Sequence, residues 1–308
     1  MNYKLSPIVI FSYNRIEPLI ISLNALKKNS LAQYSDVILY SDGYKEDKEG
    51  IDEIKVNEVR CYLKTFNGFG SFTVVEREKN YGLAQNIIQG VSEIINSHGS
   101  VIVLEDDLVT SCNFLSFMNQ SLEYYKNRND IFSVSGHSIN LPSLSMFQED
   151  TYLLYRPSSW GWATWKDQWN SVDWMVKDYK DFISDKDQIK KFNTGGVDMT
   201  KMLKGFMEGK NNSWAIRWSY AMHKQNKYCV YPTVSKVNNI GFGPDGTHCK
   251  GDNIYDGTID EGKNESFHFS DMQEPNYKIA KEFKHHMGYI NKFIKKLNFK
   301  FNNFFHLK

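Results

Sequence analysis

The chain has 308 residues, enough to bury the core of one large or two medium-sized domains. Hydrophobic residues make up 41% and charged residues 24%, as in ordinary soluble globular proteins, and a net charge of +1 offers no electrostatic basis for binding nucleic acid. The four cysteines are far apart with no Cys-x-x-Cys spacing, the first residues lack a signal-peptide pattern, and no apolar run approaches the roughly 18–20 residues of a membrane span. We therefore expect a cytoplasmic protein that binds no nucleic acid.

Short apolar runs alternate with helical patterns over the first 110 residues. Four runs predict strands, at residues 7–11, 37–40, 72–75 and 101–104. Helical stripes follow the first and third runs, at Leu19, Ile20, Leu23 and Leu26 and at Leu83, Ile87, Val91 and Ile94. This alternation predicts an α/β fold with a mostly parallel sheet flanked by helices, in which ligands bind beyond the carboxyl ends of the strands.

Polar residues follow each of the four runs, where that rule places a ligand. They are Ser12 to Arg15, Asp42, Asn80, and the acidic run Glu105, Asp106 and Asp107. Three successive carboxylates repel one another, and a divalent cation that bridges them to a diphosphate would remove the repulsion. The acidic run therefore predicts a Mg²⁺ or Mn²⁺ site, with a solvated acidic turn as the alternative. The chain contains no Gly-x-Gly-x-x-Gly or Walker pattern, so a dinucleotide or P-loop fold is not supported.

The second half of the chain has a different pattern. A strand is predicted over residues 152–155, polar helices over 173–210 and a glycine-rich loop over 237–249. No linker or internal repeat separates the two halves, so we expect them to pack as one unit.

Four motifs, taken in this order, resemble the signature of GT-A-fold glycosyltransferases. They are Ser12-Tyr13-Asn14-Arg15, Ser41-Asp42-Gly43, Asn80-Tyr81-Gly82-Leu83-Ala84-x-Asn86 and Leu104-Glu105-Asp106-Asp107. The Glu-Asp-Asp run is similar to that of the N-acetylglucosaminyltransferase I type and of bacterial sugar transferases of polysaccharide assembly. Residues 160–162 and the loop 239–248 resemble the bacterial group too, and the similarity covers about residues 5–250.

The resemblance implies an inverting enzyme that uses a nucleoside-diphosphate sugar, expected to be a uridine one. The sugar would go to a hydroxyl of a glycan or lipid-linked glycan in surface-polysaccharide synthesis. Asp107 would be the direct ligand of Mn²⁺ or Mg²⁺, Glu105 and Asp106 would contact the donor's sugar or ribose, Asp42 would bind the base or ribose, and Arg15 the phosphates. The other donor-binding positions that the motifs imply are Ser12, Asn80 and Asn86.

The resemblance also implies which ligand each half of the chain binds. Residues 1–110 would form the nucleotide-sugar-binding half and residues 111–277 the acceptor-binding half of the same domain. The loop from Gly241 to His248 would close over the donor. Trp160, Gly161 and Trp162 would line the sugar and acceptor pocket, and Trp214 is a further candidate for stacking on a sugar ring. Trp165, Trp169 and Trp174 are predicted to be structural.

The chain departs from the resemblance at the catalytic base. In the similar enzymes a carboxylate follows a tryptophan in the segment that matches residues 213–218, but Ala215 and Ile216 stand there and cannot accept a proton. Asp245 and His248, on the glycine-rich loop, are therefore the candidate bases, since a carboxylate is ionised and an imidazole titrates near neutral pH. Asp245 would otherwise only shape a Pro-Asp-Gly turn, and Glu208 is a further candidate.

Two other functions remain open. A sugar-binding subunit without catalysis is favoured by Ala215 and opposed by the complete acidic run. A sugar nucleotidyltransferase would carry a longer glycine-rich loop with Arg or Lys after the first strand, and the segment 12–15 is too short for that.

The C-terminal residues 278–308 carry eight lysines and one acidic residue, Glu282. Seven apolar residues fall on one broad helical face, at Ile290, Phe293, Ile294, Leu297, Phe301, Phe304 and Phe305. A basic amphipathic tail of this kind predicts attachment to an anionic membrane surface, with each lysine contributing on the order of 1 kcal/mol. A C-terminal helix docked on the domain is the alternative.

Overall fold

The computed structural model describes residues 4–242 and 257–288. Within these ranges the strands are β1 (Ile8–Ser12), β2 (Asp36–Ser41), β3 (Ser71–Glu76), β4 (Ser100–Glu105), β5 (Leu108–Thr110), β6 (Ile131–Ser135), β7 (Thr151–Leu154), β8 (Trp162–Trp165), β9 (Tyr228–Pro232) and β10 (Val237–Asn239). The helices are α1 (Ile16–Lys27), α2 (Ile51–Thr65), α3 (Leu83–His98), α4 (Phe114–Tyr125), α5 (Lys166–Asn170), α6 (Tyr179–Ser184), α7 (Lys186–Phe192), α8 (Met199–Met207), α9 (Trp214–Lys224) and α10 (Tyr277–His286). Short 3₁₀ segments lie at Ala32–Tyr34, Pro142–Met146 and Asn193–Gly195.

A large sheet in the order β3-β2-β1-β4-β8-β6-β9-β7 runs through the middle of the molecule. The first four strands in this order are parallel, joined by the crossover helices α1, α2 and α3. β8 and β7 run in the opposite direction to the other six. The predicted α/β class, with a mostly parallel sheet flanked by helices, is confirmed, and the four strands predicted in the first half are present within about a residue of their expected ends.

Helices cover both faces of the sheet, because its central strands are apolar on both sides. On one face the sheet packs against α1, α2 and α4 through residues such as Leu23, Leu63 and Phe117. On the other it packs against α3, α9 and α10. A smaller apolar cluster joins α6, α7, α8 and α9, and it includes Phe182 and Leu203 from the segment predicted as polar helices.

Four tryptophans, two of them in α9, form one buried cluster. The Trp162 ring lies 4.5 Å from that of Trp218, 5.2 Å from Trp214 and 5.5 Å from Trp169, measured between ring centroids. Trp162 is 1% exposed and Trp214 4%. The expectation that these two rings stack on a sugar is therefore wrong, since other indoles already cover their faces. Trp169 is structural, as predicted.

The beginning of the predicted basic tail is part of the folded domain. Asn276 caps the start of α10, and its side chain accepts hydrogen bonds from the amides of Lys278 and Ile279. Phe283 is buried, and Glu282 accepts hydrogen bonds from the amide and hydroxyl of Ser143. The boundary expected at residue 277 therefore falls inside a docked element. The apolar residues proposed as a membrane anchor, from Ile290 to Phe305, lie outside the described ranges. Among the described helices none has the length and apolar character needed to cross a membrane.

The docked position of α10 predicts that substitutions on its buried face lower the stability of the protein much more than substitutions on its exposed face. Phe283→Ala should lower the free energy of unfolding by about 3–5 kcal/mol, as truncation of a buried aromatic ring does. Lys281→Ala, on the exposed face of the same helix, should change it by less than about 0.5 kcal/mol. Urea denaturation measures both, and equal effects of the two substitutions would contradict the docked position.

Candidate functional site

The carboxyl ends of β1, β2, β3 and β4 lie side by side at one edge of the sheet. Their parallel registers pair Ser12 with Ser41, Phe11 with Glu105, and Ser41 with Glu76. Because neighbouring strands are only about 4.8 Å apart, the loops that follow these strands begin next to one another. The polar segments singled out in the sequence therefore share this edge.

Three carboxylates and one guanidinium meet where β4 ends. Glu105 is the last residue of β4, and Asp106 and Asp107 form the turn to β5. Arg15 Nη2 lies 2.5 Å from Asp106 Oδ1 and 2.7 Å from Asp107 Oδ2. The amide of Tyr13 donates to the other oxygen of Asp106 at 3.4 Å. Arg15 was expected to bind phosphate, and here its guanidinium joins the β1 loop to the acidic turn.

The backbone at Gly241 packs directly against Asp107. The antiparallel pair of β5 and β10 brings it there, and the amide of Ile240 donates to the Asp107 carbonyl at 2.9 Å. A Cβ atom at position 241 would overlap Asp107 Oδ2 and force the Asp107 side chain to move. The start of the glycine-rich loop thus adjoins the acidic turn, and Asp245 and His248, the candidate bases on that loop, lie outside the described residues.

Burial changes the protonation of two of the acidic side chains, Glu105 and Asp106. Burial, and then the charges of Asp107 and Asp106, raise the pKa of Glu105 to about 8. Burial also raises the pKa of Asp106 to about 6, although the charge of Arg15 opposes it. Burial alone would lower the pKa of Arg15, but the two aspartates outweigh it and the net direction is upward. Glu105 and Asp106 therefore hold their protons more tightly than isolated carboxyl groups do.

Glu105 should make the stability of the protein depend on pH. Because its pKa is higher in the folded chain than the ordinary 4.5, its contribution is complete below about pH 4.5 and is lost as the pH rises through about 8. Glu105→Gln cannot titrate, so in EDTA its melting temperature should fall less between pH 5 and pH 8, by on the order of 2–4 °C. Identical pH profiles for the variant and the wild-type protein would show that Glu105 titrates normally.

Asp42 holds the loop after β3 against the loop after β2. Its Oδ1 accepts hydrogen bonds from the amides of Gly43 at 2.9 Å and Tyr81 at 2.8 Å, and its Oδ2 from the amide of Gly82 at 3.0 Å. The residue is 4% exposed. Both oxygens of the expected base- or ribose-binding residue are therefore engaged with the backbone that starts α3.

The other expected donor-binding residues have structural partners as well. Asn80 donates to the carbonyl of Gly43 at 2.7 Å, which ties the same two loops together. Asn86 is 3% exposed and its Oδ1 accepts from Arg77 Nε at 3.2 Å, so its side chain lies in the interior. Ser12 is buried, and its hydroxyl makes no hydrogen bond with the described residues.

Asp42→Asn tests this role. An amide NH₂ would face backbone N–H donors and leave at least one of them unpaired, at a cost of about 1–3 kcal/mol in the free energy of unfolding. Glu49→Gln, an exposed carboxylate-to-amide change on the following loop, is the matched control and should be neutral. If urea denaturation gives the two variants the same stability, the hydrogen bonds to Asp42 contribute little.

An aromatic row begins at Phe242, the residue after Gly241, whose backbone packs against Asp107. The Trp160 ring lies 4.5 Å from the His137 ring and 5.7 Å from the Phe242 ring, both edge to face. Gly161, with φ of +57°, packs closely against Val237 and Phe114. Of the expected residues 160–162, the structure brings only the Trp160 ring to this row.

Sequence reasoning missed two residues at this edge. Asp52 accepts hydrogen bonds from the Tyr13 hydroxyl, Asn14 and the amide of Lys45, and so links the loops after β1 and β2. It stands in the first turn of α2, where a carboxylate usually serves only the helix. His137 follows the end of β6 through Gly136, and a polar residue after an apolar strand was the signal that could have identified it.

The two residues that replace the expected catalytic carboxylate lie in the first turn of α9. Ile216 is buried, and Ala215 packs beside the tryptophan cluster. Glu208 is exposed and paired with Lys210 at 2.6 Å and Lys204 at 3.6 Å. Both lysines stabilise its ionised form, and its pKa is lowered by them. A solvated, doubly paired carboxylate of this kind is a weak proton acceptor.

The acidic turn fits a divalent cation whose coordination is completed by oxygens of a bound ligand. Asp107 Oδ1 accepts no hydrogen bond from the described residues, whereas its Oδ2 contacts Arg15. No group of three or more His, Cys, Asp or Glu in residues 4–242 and 257–288 is arranged to enclose a metal by itself. Mg²⁺ and Mn²⁺ accept such incomplete sites, because one or two carboxylates commonly hold them together with phosphate oxygens and water.

No protein-family model matches this chain, and no curated protein matches it in sequence. Solved structures similar to it include the mannosyltransferase PcManGT from Pyrobaculum calidifontis in complex with GDP-Man and Mn²⁺, with a TM-score of 0.38 and 13% identity over 54% of this chain and 46% of that one. TarS from S. aureus gives a TM-score of 0.41 and 11% identity over 77% of this chain and 61% of that one. A complex of TarS with UDP-GlcNAc gives a TM-score of 0.37 and 13% identity over 57% of this chain and 48% of that one. The chain spans less than two thirds of each of these proteins, and the function proposed below rests on its own site.

Proposed function

We propose that this chain is a metal-dependent glycosyltransferase of the GT-A type, which moves a sugar from a nucleoside-diphosphate sugar to a hydroxyl of a glycan or lipid-linked glycan. The observation that carries the proposal is the excess of negative charge at the end of β4. Arg15 pairs there with both Asp106 and Asp107, so one positive charge faces two carboxylates, and Glu105 lies beside them. A buried excess of this kind is stabilised by a divalent cation with hard oxygen ligands.

The roles of the residues follow from their positions. Asp107 would bind the cation through Oδ1, and Arg15 would bind the donor's phosphates. When bound, the cation would stabilise the negative charge that develops on the leaving diphosphate. Asp42 and Asn80 would act indirectly, by holding the loop that begins α3 at the edge where the donor lies. The Trp160 ring would form one wall of the sugar or acceptor pocket.

Finer features of the proposal rest on the sequence. They are a uridine nucleotide, inversion at the anomeric carbon, a role in surface-polysaccharide synthesis, and Asp245 or His248 as the base. Attachment to an anionic membrane through residues 289–308 belongs with them, since a lipid-linked acceptor would lie at that surface.

A sugar-binding subunit without catalysis is the second candidate. Ala215 and Ile216 favour it, because neither side chain can take a proton and both lie where a carboxylate is expected. Hydrolysis of the donor in the presence of Mn²⁺, without an acceptor, separates the two candidates. A protein that binds the donor but never cleaves it would be the binding subunit.

Asp107→Asn tests the proposed function. The amide cannot supply a charged oxygen, so stabilisation by Mn²⁺ together with a panel of UDP- and GDP-sugars should be lost, while the circular dichroism spectrum stays unchanged. In the wild-type protein that stabilisation is about 2.7 kcal/mol at a hundredfold excess over the dissociation constant. Asp271→Asn, an exposed aspartate on another part of the surface, should keep it. Equal donor affinity in all three proteins would refute the metal site.

A further inference from the structure

Arg15 contacts the carboxylate that would hold the proposed cation. A single nitrogen, Nη2, contacts Asp106 at 2.5 Å and Asp107 at 2.7 Å, so it bridges two carboxylates in the manner of a metal ion. We propose that Arg15 competes with the divalent cation for these two carboxylates, and that the donor's diphosphate resolves the competition by offering the guanidinium another anion. This inference rests on the proposed function and adds to it a coupling between the binding of cation and donor.

The competition follows from charge and burial. The side chains of Asp106 and Asp107 are only 6% and 13% exposed, so solvent screens charges between them poorly. A divalent cation on Asp107 and a guanidinium on the same carboxylate would place like charges side by side. The cation therefore binds well only after Nη2 has left.

The Arg15 side chain can move away from the two carboxylates, whereas Asp106 is held in place by a second hydrogen bond. Arg15 is the residue before α1, its backbone is extended with φ of −116°, and 22% of its side chain is exposed. Asp106 keeps a second donor, the amide of Tyr13, after the guanidinium has gone. A guanidinium also matches the oxygens of a diphosphate with paired donors, so the phosphates are a suitable second partner for it.

A thermodynamic consequence follows. The cation alone must displace Arg15 without compensation, so it binds weakly to the wild-type protein. Diphosphate removes that opposition, and by linkage each ligand must raise the affinity of the other by the same factor. Arg15 thus makes binding of the cation conditional on the presence of a donor.

Substitution of Arg15 should move two affinities in opposite directions. In Arg15→Gln and Arg15→Met the affinity for Mn²⁺ without nucleotide, measured from the free-ion signal in electron paramagnetic resonance, should rise at least tenfold. The affinity for UDP or GDP at saturating Mn²⁺, measured by calorimetry, should fall at least tenfold. Damage to the fold would lower both affinities, so the opposite signs identify competition.

Two controls sharpen the experiment. Arg128→Gln removes an Arg–Asp pair beside the start of β6, at the opposite edge of the sheet, and should leave both affinities unchanged. The double variant Arg15→Gln with Asp107→Asn should lose the gain in Mn²⁺ affinity, because the gain depends on Asp107.

The outcomes separate this inference from the proposed function. Unchanged or lower Mn²⁺ affinity in both Arg15 variants would overturn the competition, even if wild-type protein binds Mn²⁺ and a nucleotide diphosphate together. Absence of Mn²⁺ binding in every variant, with or without nucleotide, would overturn the metal site and the competition at once. Binding of Mn²⁺ by the Arg15 variants alone would support the competition.

Discussion

The contact of one guanidinium with two buried carboxylates determines how the candidate site is organised. Arg15 and the turn at Asp106 and Asp107 belong to loops far apart in the chain, and they meet because β1 and β4 are neighbours in the sheet. Burying two carboxylates against one cation is unfavourable, so the surrounding chain has to hold them in place. The backbone at Gly241 on one side and the amide of Tyr13 on the other do so.

A second set of hydrogen bonds supports the same edge of the sheet. Asp42 and Asn80 join the loops after β2 and β3, and Asp52 joins the loops after β1 and β2. Each uses a side-chain oxygen or amide to satisfy groups of a neighbouring loop. Loops held in this way keep their shape without a ligand, which is what a site needs if binding is not to be opposed by the ordering of the chain.

The sequence was sufficient to predict the strands and their polar ends, because a buried parallel strand is a continuous apolar run. It was not sufficient for what depends on tertiary neighbours. Nothing near Trp162 indicates that β8 enters the sheet between β4 and β6, and this position is what buries its ring. Asp42 was expected to face a ligand. Its actual partners, the amides of Tyr81 and Gly82, are about forty positions away in the chain, so the local sequence does not indicate them. α10 was taken as part of a tail because its exposed lysines obscured the buried stripe of Ile279 and Phe283.

The insertion of β8 also bears on how the chain is made. β4 ends at residue 105, but β8, which pairs with its free edge, ends only at Trp165. β9, which pairs with β6, ends at Pro232. During synthesis the parallel half of the sheet therefore emerges from the ribosome with an apolar strand uncovered, and an uncovered strand edge is a site of unwanted pairing between chains. Newly made protein should accordingly be most prone to aggregate during synthesis of the roughly 60 residues between β4 and β8. A chaperone that shields β4 over that interval would raise the yield of folded protein.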